Sequence, residues 1–402
     1  MTISSDPVAP SSNFGLQYPT SDSGHPGQIR LDHGRSTMEE RTNRSPILIF
    51  WESTKACPLS CRHCRAEAIS TAPEGELSTS EALSMIEEIA KFGSPSPILV
   101  LTGGDILMRS DLEEILNQCN KAGIKAALSP AISPLFNEER LRRVRELGVK
   151  ALSISLDGIG STHDSIRGIG GHFEKTLEAI ELAKRLGFSV QVNTTVMSRN
   201  VIELPEIAKA LLDRGVSIWE IFFLISVGRG TEMLELKPQD AEDVSRFLYD
   251  ATAYGLTVRT VEGPMYRRVA NELRGDGGDD KLLLPRGLLY GELSARMINL
   301  VGEARGERHI PPAITRDGKG IIFISNTGDV FPSGFLPLSL GNVRDRSIVE
   351  IYQNDELLRD IRSANFVGKC GGCSYSNWCG GSRARAYAAT GDPLGDDPIC
   401  GI

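Results

Sequence analysis

Three cysteines near the start of the chain have a spacing that suits a metal cluster. Cys57, Cys61 and Cys64 are separated by three and two residues and follow an apolar run at residues 47–51. Thiolates placed in this way on a short loop can hold an iron–sulfur cluster, which normally takes four of them. Three protein ligands would leave one iron open to another molecule. A structural zinc ion needs a fourth ligand, and His63 is a poor one because it adjoins Cys64.

Four more cysteines form a second group near the end of the chain, at Cys370, Cys373, Cys379 and Cys400. Four thiolates make a closed site for a [4Fe–4S] cluster or for zinc, and their spacing leaves both open. The eighth cysteine, Cys119, follows apolar residues at helical spacing, which predicts a position in the core.

The rest of the composition limits where the protein works and what it binds. Residues 1–45 are rich in Ser, Pro, Gly and Asp and lack the apolar segment of a secretory signal. Clustered cysteines then favour metal binding in the reducing cytoplasm over disulfides. With 44 basic and 52 acidic residues the net charge is −8, which argues against a nucleic-acid partner. No apolar run reaches the roughly 18 residues of a membrane helix, so we expect no membrane contact.

Short apolar runs alternate with amphipathic stretches from residue 46 onwards. Six strand–helix units in a row predict an α/β fold, a parallel sheet with helices outside it, built as an open doubly wound sheet or as a barrel. The first cysteine group follows the first strand, at the sheet edge where such folds place their sites. The predicted strands are 47–51, 98–102, 124–129, 150–156, 189–196 and 217–225.

The pattern divides the chain into four parts. The last part, residues 319–402, contains a predicted hairpin at 320–333 and a predicted helix at 347–363 but little core-forming sequence. We therefore expect a metal centre to stabilise its fold. The parts are a disordered arm (1–45), the α/β unit (46–262), an irregular linker with a flexible spacer at 275–280 (263–318) and the cysteine-rich unit (319–402).

The first cysteine motif, on the loop after the first strand, resembles the signature of the radical S-adenosylmethionine (SAM) enzymes. The resemblance implies a partial (β/α)6 TIM-type barrel and a [4Fe–4S] cluster whose open iron binds the methionine part of SAM. One electron then cleaves SAM to a 5′-deoxyadenosyl radical, which takes a hydrogen atom from the substrate. Reduced flavodoxin or ferredoxin is the electron donor that this chemistry implies.

The same resemblance implies the residues that hold SAM. Gly103 and Gly104 would present backbone to the methionine amine, and Asp105 stands where family members usually have Glu. Arg167 would bind the carboxylate of SAM, because the planar guanidinium group can donate two hydrogen bonds to a carboxylate. No residue stands out as a general acid or base. The implied cofactor-binding residues are His63 against the adenine, Gly103, Gly104, Asp105, Ser155, Asp157, Arg167 and, as a ribose contact, Asn193.

The second cysteine group resembles the SPASM or Twitch auxiliary-cluster domain of radical SAM enzymes. Ser333 and Arg383 stand where the full SPASM pattern has cysteines, so the ligands of one of its two clusters are missing. The resemblance therefore implies one auxiliary [4Fe–4S] cluster with full cysteine ligation, for electron transfer or for structure.

Two stretches, 46–68 and 379–400, resemble the branch that makes haem and haem d1. This predicts a tetrapyrrole substrate whose propionate is oxidatively decarboxylated or modified, with Arg229, Arg383 and Arg385 as candidates to hold its acidic side chains. A maturase of ribosomally made peptides is the alternative, because such enzymes share nearly all these motifs. A non-catalytic iron–sulfur or electron-transfer protein is a third hypothesis, which the intact first motif disfavours.

Overall fold

A single mixed sheet runs through the protein in the computed structural model, which describes residues 38–229, 235–275, 282–310 and 315–402. The sheet order is β11-β10-β9-β1-β2-β3-β4-β5-β6-β7, with β8 pairing β9. The strands are β1 (Leu48–Thr54), β2 (Ile98–Gly103), β3 (Ala126–Leu128), β4 (Ala151–Ser155), β5 (Ser189–Val196), β6 (Ile218–Phe223), β7 (Thr257–Val261), β8 (Arg316–Asp317), β9 (Gly320–Ile324), β10 (Asp329–Phe331) and β11 (Gly341–Asn342).

Strands β1 to β7 pair in parallel in chain order. The predicted partial barrel is therefore confirmed, with β7 as an additional parallel strand. Alternation along each strand gives the barrel an outer and an inner face. In β6, Trp219 and Ile221 are buried under the helices, whereas Glu220 and Phe222 line the interior.

Nine helices of this part of the described chain cover the outside of the sheet. Helix α1 begins with a capping box, in which Ser78 and Glu81 each bond the other's backbone N–H. Its buried residues Ala82, Met85 and Ile89 have the predicted helical spacing. The helices are α1 (Thr79–Ala90), α2 (Leu112–Lys121), α3 (Glu138–Glu146), α4 (Ser161–Arg167), α5 (His172–Arg185), α6 (Leu204–Asp213), α7 (Pro238–Ala251), α8 (Met265–Arg274) and α9 (Leu288–Val301).

Helices α8 and α9 lie in the range 263–318, which the sequence predicts to be an irregular linker. That prediction is wrong in this part, because α8 packs against α7 and α9 packs against α6 and α7. Of the predicted flexible spacer, residues 276–280 lie outside the described residues. The arm predicted to be disordered is helical at 38–44. There Tyr352 Oη donates a hydrogen bond to Thr42 O (2.5 Å); residues 1–37 lie outside the described residues.

The C-terminal unit joins the barrel through a strand. The predicted hairpin is confirmed as antiparallel β9 and β10, but β9 also pairs in parallel with β1, from Leu48↔Ile321 to Trp51↔Ile324. The remaining helices follow, and the helix predicted at 347–363 is two helices because Asp355 ends one and caps the next. They are α10 (Ile348–Asn354), α11 (Glu356–Ser363), α12 (Gly368–Gly372) and α13 (Arg383–Thr390). Within the described ranges, no helix is both long and apolar enough to cross a membrane.

Candidate active site

The first cysteine group lies on a loop at the carboxyl end of β1. Backbone bonds tie the loop down: Cys57 N donates to Ile69 O (2.7 Å) and Arg62 N donates to Ile166 O (2.9 Å). Cys57 and Cys61 are buried and Cys64 is half-buried. Burial raises the pKa of the Cys57 thiol to about 11, so a bound metal has to displace its proton before it can act as a thiolate ligand. The amide of Leu59 already points at that sulfur, at 3.4 Å.

Gly103 and Gly104 let the end of β2 dock on the backbone that leads into this loop. Gly104 N donates to Thr54 O (2.7 Å), and a Cβ on Gly104 would lie 2.2 Å from Ala56 O. Gly103 has φ +126° and equally little room, with Thr54 O at 2.3 Å from a Cβ. The glycines are therefore required for the approach of chain to chain. Their expected contact with SAM stays a prediction.

Asp105 uses its side chain inside the protein. Its carboxylate accepts hydrogen bonds from Leu107 N (3.1 Å) and Ser133 Oγ (2.6 Å), and the residue has no exposed surface. Burial raises the pKa of Asp105, and these hydrogen bonds oppose that rise. Its backbone N–H donates to Ala56 O (2.6 Å), so Asp105 holds the end of β2 against the backbone that leads into the cysteine loop, and its expected contact with SAM stays a prediction.

Three predicted residues, His63, Asp157 and Arg167, meet beside Cys61. Asp157 follows β4 and forms an ion pair with Arg167, while His63 Nε2 lies 3.4 Å from Asp157 Oδ2. Arg167 also donates to Cys61 Sγ at 3.7 Å. Burial alone would raise the pKa of Asp157, but the charge of Arg167 beside it lowers that pKa below its usual value. Burial lowers the pKa of His63 to about 4, so its imidazole is neutral near pH 7.

Ser155 and Asn193 are direct neighbours across β4 and β5. Both are half-buried, and Asn193 lines the barrel interior. Its Oδ1 accepts a hydrogen bond from Gln191 Nε2 (2.8 Å). Because paired residues of a parallel sheet point to one face, Ser155 faces the same interior. Ser155 and Asn193, both among the predicted SAM contacts, thus lie side by side on the inner face of the barrel.

The barrel interior holds a cavity of about 1510 Å³, its open mouth included. One part of its wall is apolar and aromatic, from Phe50, Phe222, Phe323 and Phe335. The other part is charged. Four arginines reach it from different elements, and they are Arg65, Arg259, Arg267 and Arg316.

Arg65 is the cavity arginine next to the cysteine loop, directly after Cys64. It donates to Glu52 Oε2 (2.6 Å) and to Gly334 O (3.1 Å), and its guanidinium carbon lies 4.6 Å from the centre of the Phe323 ring. The residue thus links the cysteine loop, β1 and the C-terminal unit. Arg65 was not among the predicted site residues, although its position beside Cys64 was a usable signal.

Two carboxyl groups, Glu262 and Asp317, meet in the cavity wall where β7 ends and β8 begins. Both carboxyl groups are buried and they interact with each other, which favours a proton on one of them. Burial and the charge of Asp317 raise the pKa of Glu262 well above its usual value, so Glu262 holds that proton. Ser382 Oγ donates to Glu262 Oε2, and the backbone of Glu262 has φ +55°. Nothing in the sequence marked this pair.

The arginines expected to hold substrate carboxylates are not in the cavity wall. Arg385 is buried in an ion pair with Asp397 (3.3 Å), and Arg383 bonds backbone carbonyls such as Gly395 O (2.7 Å). The backbone N–H of Arg229 donates to Cys64 O (3.1 Å), and its guanidinium donates to Ala68 O (3.4 Å). For Arg383 and Arg385 the expectation is therefore wrong, because neither side chain lines the cavity.

The second cysteine group is assembled by α12, the loop after it and the chain end. Cys370 and Cys379 are buried, and Cys373 and Cys400 are half-buried. Burial raises the pKa of Cys379 to about 12. Across the described ranges, no three His, Cys, Asp or Glu side chains are close enough to hold one metal ion. The assignment of metal ligands in both cysteine groups stays a prediction.

Comparison with known proteins decides the family. Residues 51–211 match the radical SAM superfamily, and residues 316–374 match SPASM, an iron–sulfur cluster-binding domain. The AdoMet-dependent heme synthase of Methanosarcina barkeri is 36% identical over 359 residues, 89% of this chain and 96% of that protein. The chain belongs to the radical SAM superfamily.

Other members of the superfamily extend the comparison. The pre-heme d1 synthase of Dinoroseobacter shibae is 29% identical over 92% of this chain and 90% of its own. The crystal structure of SuiB of Streptococcus suis, bound to the precursor peptide SuiA, has a TM-score of 0.65 at 14% identity, over 98% of this chain and 85% of that one. That likeness shows the fold alone.

In keeping with its radical SAM and SPASM matches, this chain uses SAM and two [4Fe–4S] clusters. The donor types of this chain suit both clusters, since the first group offers three thiols after β1 and the second offers four in the C-terminal unit. Both groups also have an arginine N–H directed at a sulfur: Arg167 at Cys61 (3.7 Å) and Arg383 at Cys370 (3.6 Å). Such donors suit the negative charge of a ligated thiolate.

Proposed function

We propose that this radical SAM enzyme acts on a propionate side chain of an iron-bearing tetrapyrrole, with loss of its carboxylate as CO2. The observation that carries the proposal is the cavity, which combines an aromatic wall with four arginines, one of which directly follows Cys64. Aromatic side chains suit the flat, apolar face of a macrocycle, and arginines suit its carboxylates. The similarity to a heme synthase over nearly the whole chain supports the same substrate class.

The cofactors supply the radical, and the residues of this chain supply position. When bound, SAM and its cluster provide the 5′-deoxyadenosyl radical that takes a hydrogen atom from the substrate. Arg65 stands nearest to the cysteine loop in sequence, so it is suited to place one propionate beside the radical. Arg259, at the opposite side of the sheet on β7, is suited to hold another acidic group of the macrocycle. The apolar wall excludes water, which protects a radical and strengthens ionic contacts.

Loss of CO2 from such a substrate radical leaves a vinyl group and releases one electron. We propose that the second cysteine group carries this electron away, and that reduced flavodoxin or ferredoxin in the cytoplasm supplies the electron for SAM cleavage. Glu262 and Asp317 contribute one negative charge in place of two, because they share a proton. The cavity wall thereby keeps a positive balance toward an acidic substrate.

The test is anaerobic turnover of iron-coproporphyrin III with SAM and a reductant, followed by mass spectrometry. Loss of CO2 from the porphyrin together with 5′-deoxyadenosine supports the proposal. Formation of 5′-deoxyadenosine with no change in the porphyrin contradicts the substrate and leaves a ribosomally made peptide as the candidate. A list of neighbouring genes then separates these readings, since tetrapyrrole genes support one and a short precursor-peptide gene the other.

Arg259 offers a finer test of the same proposal. In Arg259→Gln we expect weaker binding of iron-coproporphyrin III by roughly tenfold or more, the scale of a lost charged hydrogen bond. Cleavage of SAM without substrate should be unchanged. Arg259→Lys is the matched control, because it keeps the charge without the fork and should bind with intermediate strength. Equal binding by all three proteins would exclude Arg259 as a carboxylate contact.

A further inference from the structure

Arg383 is a buried cation directed at the second cysteine group. It is the first residue of α13 and has no exposed surface. Its guanidinium donates to Gly395 O (2.7 Å), to Pro393 O (3.1 Å) and to Cys370 Sγ (3.6 Å). The ring of Phe366 covers it, with its centre 4.3 Å from the guanidinium carbon. These contacts fix the orientation of the guanidinium group, and in that orientation one of its N–H groups points at Cys370 Sγ.

The charge of Arg383 has no carboxylate partner within ion-pair distance among the residues that the structure describes. Its neighbours differ: Arg385 pairs with Asp397, and Arg268 pairs with Glu242. A buried charge without a counter-charge is costly, because carbonyl dipoles and an aromatic face replace water only in part. A metal-ligated thiolate at Cys370 supplies the missing negative charge.

The first cysteine group contains the same kind of contact with a different charge balance. Arg167 donates to Cys61 Sγ at 3.7 Å, but it also forms an ion pair with Asp157, whose carboxylate is almost fully buried. Arg167 at the first group is thus neutralised by an ion pair, whereas Arg383 at the second group has none among the described residues; the carboxylate of Asp396 there bonds the Cys370 N–H (2.9 Å) instead. Hydrogen bonds and net charge near the sulfurs set the reduction potential of an iron–sulfur cluster.

We propose that Arg383 raises the reduction potential of the cluster held by Cys370, Cys373, Cys379 and Cys400 above that of the cluster that cleaves SAM. A positive charge at hydrogen-bonding distance stabilises the more negative, reduced form of a cluster. The second group then accepts the one electron that is released when a substrate radical loses CO2 and becomes a vinyl group. That last role rests on the proposed function; the effect on the potential does not.

The experiment measures the midpoint potential of the second cluster directly. A parent protein with Cys57, Cys61 and Cys64 replaced by Ala carries only that cluster, and its potential is followed by anaerobic titration with electron paramagnetic resonance. In Arg383→Gln we expect a more negative potential than in the parent. The matched control is Arg359→Gln, an exposed arginine paired with Glu356, for which we expect no change.

A second variant covers the possibility that Arg383→Gln does not assemble its cluster. Arg383→Lys keeps the charge but loses the planar fork, so we expect a smaller shift in the same direction. A potential equal to that of the parent in Arg383→Gln, or in Arg383→Lys where only that variant holds a cluster, overturns the proposal. If the potentials shift as expected while iron-coproporphyrin III is not turned over by the wild-type enzyme, the proposed substrate fails and the role of Arg383 stands.

Discussion

Arg167 contacts two neighbours at once, the carboxylate of Asp157 and the sulfur of Cys61. Since the lowered pKa of Asp157 keeps that carboxylate charged near pH 7, the guanidinium is held in place before any cofactor binds. A fixed arginine loses little conformational entropy on binding. The ion pair of Arg167 and Asp157 is therefore formed by the chain itself, whereas the thiols become cluster ligands only when iron binds.

At this scale the first prediction concerns Cys61. In Cys61→Ala the first group has two thiols left, so we expect no formation of 5′-deoxyadenosine in an anaerobic assay with SAM and reductant. Cys119→Ala is the matched control, because Cys119 is a buried core residue on α2 outside both groups. It should keep its activity and lose about 1 kcal/mol of stability from the small cavity. Normal SAM cleavage by Cys61→Ala would exclude it as a cluster ligand.

The second residue-scale prediction concerns Glu262. Its pKa is raised in the folded protein, so its contribution to stability is present at low pH and lost as the pH rises through the folded value. In Glu262→Gln, which stays neutral beside Asp317, Ser382 and Arg385, we expect the melting temperature to fall less with rising pH. Thermal unfolding across a pH series measures this. Glu74 is exposed, so the melting temperature of Glu74→Gln should change with pH as that of the wild type does. If the melting temperature of Glu262→Gln also changed with pH as that of the wild type does, a raised pKa of Glu262 would be contradicted.

Residue by residue, the resemblance named several side chains that the structure brings together, and their contacts with SAM stay predictions. His63, Asp157 and Arg167 come together as a cluster, and Ser155 lies beside Asn193. The pair of Glu262 and Asp317 was out of reach, because its two members are far apart in the chain and carry no motif. Arg383 was noticed for the cysteine it replaces, but its contact with Cys370 depends on how α13 docks, which no local pattern encodes.

At the scale of elements, the end of β2 and the loop after β1 form one unit. The prediction that tests it is Gly104→Ala, whose Cβ would meet Ala56 O at 2.2 Å. The atom in the way belongs to the backbone, which cannot rotate aside as a flexible side chain can. We therefore expect the cysteine loop to be displaced. Chemical analysis should find the iron content of the reconstituted protein lowered to about half, since the second group is untouched.

Gly291→Ala is the control for Gly104→Ala. Gly291 lies inside α9 with open space around it, so the same substitution should stabilise the protein by about 0.5–1 kcal/mol and leave the iron content unchanged. Full iron in Gly104→Ala would show that the loop tolerates the displacement and that the docking is not needed.

Elements with strong periodicity were predictable, and elements defined by long-range contacts were not. The six predicted strands and the helix α1 follow from apolar runs and helical spacing. Helix α9 has few buried residues, Leu293 and Met297, so its sequence gave a weak amphipathic signal. The pairing of β9 with β1 joins segments more than 270 residues apart, a contact that sequence spacing does not reveal.

At the scale of the whole molecule, the chain has two cysteine groups, one of three thiols after β1 and one of four in the C-terminal unit. The prediction at this scale is Cys373→Ala. SAM cleavage depends on the first group, so 5′-deoxyadenosine should still form, at a reduced rate. Product formation from iron-coproporphyrin III should stop, because the electron has no exit. Mass spectrometry of both compounds in one reaction measures this, and normal product formation would contradict an electron-transfer role for the second group.

The strand β9 has a consequence for how such proteins can be recombined. It belongs in sequence to the SPASM unit, yet it lies against β1, the strand that ends in the first cysteine loop. A chimaera that takes its SPASM unit from a relative would insert a foreign strand beside β1. It would have to reproduce four register pairs, from Leu48↔Ile321 to Trp51↔Ile324, for the loop to keep its place. Exchange of SPASM units between enzymes is therefore limited by strand register. The barrel and the SPASM unit are joined by the pairing of β1 with β9 inside one sheet, and not only by a linker.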